Sequence, residues 1–161
     1  MSKRTRNIIL AVVILVILVA IPFWPTLRQA FSNQEEDTQQ ASGISCTVTV
    51  VCQDQTLLPT LQEEGISVEE DGTLFSASVS VAEGATILDA LEDAARQANA
   101  AVVTEGSPAY VTTIGGLAAG AHGDMSGWTY TVDGEMIMES CDVQTVQEGD
   151  EILWAYVTSW E

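Results

Sequence analysis

Residues 75–100 read FSASVSVAEGATILDALEDAARQANA, and this stretch decides the fold class. Phe75, Ala77, Val79 and Val81 alternate with Ser76, Ser78 and Ser80, the period of a strand with one buried and one solvated face. Glu83-Gly84 turns the chain. Thr86 then precedes Asp89 by three residues, and a hydroxyl and an acid at that spacing close the open amides of a helix start. The pattern predicts a helix continuing as ILDALEDAARQANA, with Leu88, Leu91, Ala95 and Ala98 on its apolar stripe and Glu92, Asp93 and Arg96 opposite. Glu92 and Arg96 stand four apart and are expected to pair.

On the N-terminal side, Ser45–Cys52 reads SCTVTVVC, with Cys46, Val48, Val50 and Cys52 on one face at period two. Residues 53–72 are polar apart from Leu57, Leu58 and Leu61 and read as a long loop. On the C-terminal side, Tyr110–Ile114 is a strand before Gly115-Gly116, and Trp128, Tyr130 and Val132 alternate with Thr129 and Thr131. Asp133-Gly134 is a hairpin signal, because such turns need positive φ. Glu148-Gly149-Asp150 turns into a last strand, Glu151–Val157, with Ile152, Trp154 and Tyr156 on one face. A single helix among hairpins predicts an α+β domain, a sheet packed on one helix.

Further out, the apolar run Ile8–Trp24 holds 17 residues without a charge, the short end of what spans a bilayer. Lys3, Arg4 and Arg6 before it place the N-terminus in the cytoplasm and the remainder outside. Pro22, Phe23, Trp24 and Pro25 fit poorly as a cleavage site, which favours an uncleaved anchor over a signal peptide. The expected organisation is a cytoplasmic basic tail over 1–7, a transmembrane helix over 8–24, a linker over 25–44 and a folded domain over 45–161. The linker ends in SNQEEDTQQASGI, which has no apolar periodicity. The expected location is the cell membrane, single-pass, with the domain extracytoplasmic.

The 161 residues carry a formal net charge of −18. Residues 31–161 hold one base, Arg96, against 23 acids, so a nucleic-acid partner is excluded on charge. The acids lack the ligand order of a calcium loop. His122 is the only histidine, which removes two-histidine mechanisms and most multi-histidine metal sites; it is expected in solvent. Asp124 and Ser126 flank it, but a triad within one short loop lacks converging geometry, and no enzymatic activity is expected.

The loop Gly120–Trp128, GAHGDMSGW, is the candidate binding element. Its glycines let the backbone approach a ligand, Met125 and Trp128 offer polarizable and flat surfaces, and Ser126 a hydroxyl. The alternative stays open that Trp128 is simply the buried residue of a strand.

Three segments, SVAEGATILDALEDAA (80–95), YVTTIGGLAAGAHGDMSGWTYTVDGE (110–135) and VQEGDEILWAYV (146–157), together resemble the transcobalamin-like C-terminal domain of bacterial surface proteins, a domain of unknown function. The resemblance implies a β-grasp-like mixed sheet with one helix. It also implies a binding module for cobalamin or a related corrinoid, with a transporter or surface protein as partner and no resident cofactor. The ligand contacts would be Gly123, Met125, Ser126, Gly127, Trp128 and Tyr130, with Ser126 and the Gly127 amide as polar contacts. The resemblance covers most of residues 45–158 and does not extend to the large helical domain that completes the site in animal cobalamin carriers, so an open rather than enclosed site is expected. The resemblance further pairs Cys52 with Cys141 in a disulfide and leaves Cys46 over. The alternative function is a structural or adhesive surface module with no small ligand.

Overall fold

A computed structural model describes residues 43–159. The basic tail, the transmembrane segment and nearly all of the linker lie outside the described residues. Within them, no helix is long and apolar enough to cross a membrane.

The domain is α+β, with two sheets and few helices. Strand β1 (Ile44–Cys52) begins one residue inside the stretch read as linker and buries Cys46, Val48, Val50 and Cys52, as its alternation requires. It pairs antiparallel with β2 (Thr73–Val81), whose Ser76, Ser78 and Ser80 face solvent. Strands β3 (Val102–Glu105), β4 (Tyr110–Ile114) and β5 (Leu117–Ala118) form a separate antiparallel sheet. Strands β6 (Gly127–Val132), β7 (Glu135–Met136) and β8 (Glu151–Val157) complete the main sheet, in the order β2-β1-β8-β6-β7. That sheet is mixed because β1 and β8, near the two ends of the domain, lie side by side in parallel. The turn between β6 and β7 is Asp133-Gly134, both at positive φ (52° and 79°).

The register of β8 places the aromatic residues. Trp128 lies opposite Tyr156, and Tyr130 opposite Trp154, across the β6–β8 pair. Trp128 and Tyr156 meet edge to face with ring centroids 5.2 Å apart.

Helix α2 (Ile87–Gln97) starts in the expected capping box: Thr86 Oγ1 accepts from the Asp89 amide, and Asp89 Oδ2 accepts from the Thr86 amide at 2.7 Å. It packs on β2 and β1 and buries Ile87, Ala90, Leu91, Ala94 and Ala95. The stripe is therefore turned from the expected one: Ala98 is exposed and Leu88 half-buried. The helix stops at Gln97, short of Ala100, because Asn99 takes the left-handed conformation at φ 54°. Arg96 pairs with Asp93, at 2.6 Å, rather than with Glu92.

Residues 53–72 are not simply a loop. A 3-10 turn over Gln55–Leu57, capped by Asp54, leads into α1 (Leu58–Glu63). Leu58 and Leu61, three apart, bury together, and Pro59 sits in the first turn, where its missing amide costs nothing.

The expected Cys52–Cys141 disulfide is corrected: Cys46, Cys52 and Cys141 are all free and buried. Cys52 ends β1 with its sulfur 3.5 Å from Asp54 O, whereas the Cys141 sulfur lies 3.8 Å from Ala109 O. The Cys141 carbonyl accepts from Leu88 N in the first turn of α2. That turn follows the end of β2 paired with Ile44, the opposite end of β1 from Cys52. Burial raises all three thiols above their ordinary pKa, so they behave as small apolar core residues.

Candidate functional site

The glycine-rich loop is closed on itself. Gly120 N donates to Ser126 O, and Ser126 N to Gly123 O. Ser126 Oγ donates to Gly123 O at 2.7 Å and accepts from His122 N. Tyr156 Oη lies 2.9 Å from both Ser126 Oγ and Ala118 O and shares its one proton between them. Ser126 is thus buried and fully engaged in holding the loop to the core.

His122 belongs to the same knot, which corrects its expected exposure. Its side chain is 9% exposed, with its ring edge-on to Tyr156. Its Nε2 lies 3.4 Å from Glu64 Oε2 without a hydrogen bond. A loop histidine is buried here because α1, absent from the sequence reading, ends at Glu63 and brings Glu64 against it.

The six expected ligand residues therefore separate. Gly123 and Met125 are exposed at the loop surface. Ser126 and Gly127 are buried, and Gly127 opens β6 opposite Val157. Trp128 and Tyr130 lie further along β6 and form part of a groove of about 540 Å³. The remaining walls are Pro108–Val111 around the start of β4 and Ile137–Cys141 after β7, with Trp154 beside Tyr130. Tyr110 and Met138 on its rim are half-exposed and almost fully exposed.

The lining includes Tyr110, half-exposed, and the almost wholly buried Trp128, Tyr130 and Trp154, and most of its polar groups are engaged. Trp128 Nε1 donates to Leu117 O at 3.1 Å, and Tyr130 Oη to Glu139 O at 2.7 Å. Ser140 Oγ lies within bonding distance of Ala109 O, and Asp142 accepts from Ala109 N at 2.9 Å. The exception is Trp154 Nε1, which is buried with no hydrogen-bond partner among the described residues. Burial, with smaller contributions from Cys141 and Glu139, pushes the Tyr130 phenol up to about 12, so it stays a neutral donor. Hydrogen bonds from Ser140 and the Ala109 amide hold Asp142 below the usual carboxylate range. Among the described residues no three His, Cys, Asp or Glu side chains gather as a metal site.

Sequence reasoning missed Trp154, Tyr110 and Met138. The alternation of β8 puts Trp154 on a face with Ile152 and Tyr156, but only its register against β6 sets it beside Tyr130. Tyr110 and Met138 carry no local signal, since they meet only in the groove.

The elements define an α+β mixed-sheet domain with an open aromatic groove. The profile of a family described as a domain of unknown function (DUF4430) matches residues 84–158, from the turn before α2 to the end of β8. Among solved structures, haptocorrin in complex with cobinamide (Cbi) has the same fold at a TM-score of 0.56 and 18% identity, over 79% of this chain. The chain spans 28% of haptocorrin's length. A Ruminococcus gnavus protein provisionally described as metal-binding aligns at a TM-score of 0.46 and 17% identity, over 73% of this chain and 99% of that one. No curated protein matches.

Proposed function

We propose that the chain is a membrane-anchored extracytoplasmic module whose groove binds cobalamin or a related corrinoid. The observation that carries this reading is the groove itself, about 540 Å³, with Trp128, Tyr130 and Trp154 among the residues that line it. The fold shared with haptocorrin supports the corrinoid as occupant, since that protein was solved with cobinamide. The parallel pairing of β1 with β8 and the packing of α2 on the sheet fit a β-grasp-like arrangement. Anchoring rests on the uncharged run Ile8–Trp24 behind Lys3, Arg4 and Arg6. The partner would be a transporter or surface protein that covers the exposed face of the ligand, and the chain itself carries no catalytic role.

One groove covers one face of a corrinoid, so binding is weak: micromolar or poorer, about −8 kcal/mol or less favourable. Titration of the full chain in detergent with dicyanocobinamide, read by corrinoid absorbance and heat, tests this. No response up to millimolar ligand removes the reading and leaves the adhesive module in its place. Protease added to intact cells should remove the folded domain; protection of the domain while other outer-surface proteins are cut overturns the topology.

A further inference from the structure

We propose that the outer edge of β2 pairs with the same edge of a second copy of this chain, antiparallel about a two-fold axis at Ser78, so that two five-stranded sheets join into one. The inference goes beyond the corrinoid reading and does not rest on it, since no residue of β2 lines the groove.

The hydrogen bonds of β1 fix which peptide groups of β2 point outward. Thr47 N donates to Asp150 O, and Gly149 N donates to Ser45 O, so the odd-numbered residues of β1 turn their peptide groups toward β8. Cys46, Val48 and Val50 turn theirs toward β2, opposite Val79, Ala77 and Phe75. In an antiparallel pair, residues that exchange bonds alternate with residues that do not. Ser76, Ser78 and Ser80 therefore aim their amides and carbonyls away from β1. β2 is the end strand of its sheet, and all three serines are exposed. Among the described residues, one hydrogen bond reaches these outward groups, from Gln97 Nε2 to Ser78 O at a long 3.4 Å. Pairing with β1 is regular from Phe75 to Val81, because the irregularity falls at Val50/Val51. The edge is thus a straight template for another strand.

Its chemistry points to a second copy. β2 reads TLFSASVSV, without the charge or proline that keeps sheet edges apart. The strand is also its own complement. About Ser78, Ser76 falls opposite Ser80 and Ala77 opposite Val79, so hydroxyls meet hydroxyls on the solvated face and apolar groups meet on the face under α2. Charge acts in the same direction. Residues 31–161 hold one base against 23 acids, so copies repel over most of their surface and approach best along an uncharged edge. Leu74 is half-buried beside Gly115, which centres the pairing on Ser78 rather than nearer the start of the strand.

The test is disulfide trapping of the full chain in detergent under mild oxidation. Cys46, Cys52 and Cys141 are buried, so an introduced thiol on the edge is the accessible one. Across the axis the two Ser78 Cα atoms would stand about 5.5 Å apart, within disulfide reach. Ser78→Cys should therefore give a linked dimer. Ser76→Cys and Ser80→Cys should each link poorly alone, their copies being offset by about 13 Å along the strand, and should link when mixed. Equal linking at all three positions, or none at Ser78, overturns the proposal. Sedimentation then measures the dimer without a cross-link. Ser78→Pro removes an amide that β1 does not use, and should weaken the dimer at least about ten-fold while the fold persists. Ser78→Glu sets two carboxylates opposite each other and should weaken it as well, which keeps the test decisive where the proline variant fails to fold. A dimer unmoved in either folded variant overturns the proposal, as does a wild-type chain that stays monomeric at millimolar concentration.

Discussion

The loop Gly120–Ser126 and the groove beside Trp154 divide the roles expected of one element. The loop has the composition of a binding site: glycines, a histidine, a methionine and a serine in seven residues. Yet its hydroxyl is consumed by Gly123 O, His122 N and Tyr156 Oη. The groove is assembled from β4, β6, β8 and the segment after β7, none of which looks like a site by itself. A polar group satisfied within the fold contributes to stability, whereas a buried one left unpaired costs stability.

Four substitutions break or sharpen this contrast, in falling order of expected effect. Trp128→Ala removes a ring that is both core and groove wall, 4% exposed and bonded to Leu117 O. Urea unfolding should show a loss of about 3–5 kcal/mol, and a loss under about 1 kcal/mol would mean that Trp128 is not a core residue.

Ser126→Ala tests the loop as structure. It strips a partner from Tyr156 Oη and Gly123 O in a buried setting, so stability should fall by about 1–3 kcal/mol. Corrinoid affinity should stay within about two-fold of wild type, since one hydrogen bond is worth more than that. A folded variant with affinity lost would return the ligand to the loop.

Tyr130→Phe deletes the donor to Glu139 O, a loss of about 0.5–1.5 kcal/mol. Its sharper signature is in alkali. The folded phenol titrates at about 12 against an ordinary 10.0. Between those values the unfolded chain has released the proton and the folded one has kept it, so stability falls as pH rises through that window. The contribution is complete below the unfolded value. The raised thiols of Cys46, Cys52 and Cys141 act in the same direction from about 9.0 upward. The Tyr130→Phe variant should flatten the decline between about 10 and about 12 but leave the thiol part. An unchanged slope in that window places the phenol in solvent.

Met138→Ser is the mildest change. Met138 is 92% exposed on the groove rim, so thermal unfolding should move by no more than about 0.5 kcal/mol. Affinity for dicyanocobinamide should drop measurably, because an apolar rim contact is lost. A large loss of stability with affinity intact would reverse the assignment of groove and scaffold.

Much of the fold is legible along the chain. The alternation of β1, β2, β6 and β8, the Thr86–Asp89 cap and the Asp133-Gly134 turn are local patterns with local causes. Legibility fails where the pattern is weaker. Leu58 and Leu61 are visible, but six helical residues behind a proline give too short a period to separate helix from loop. The two-residue strands β5 and β7 exist only through their partners. The site is half legible: Trp128 and Tyr130 read as walls, while Trp154 reads as a strand-face residue without its neighbour across the sheet.

The sequence by itself determined the class of the domain, the period of its main strands, the start of its principal helix and an acidic composition that no nucleic acid tolerates. These depend on residue spacing and summed charge, which the chain carries before it folds. Tertiary structure alone decided that Ser126 and His122 are internal, that three cysteines lie buried and free, and that Tyr130 meets Trp154 above a groove. The physical reason is that hydrogen-bond satisfaction, desolvation and cleft shape are properties of groups far apart in the chain. They acquire values only when register and packing bring β6, β8 and the segment after β7 together.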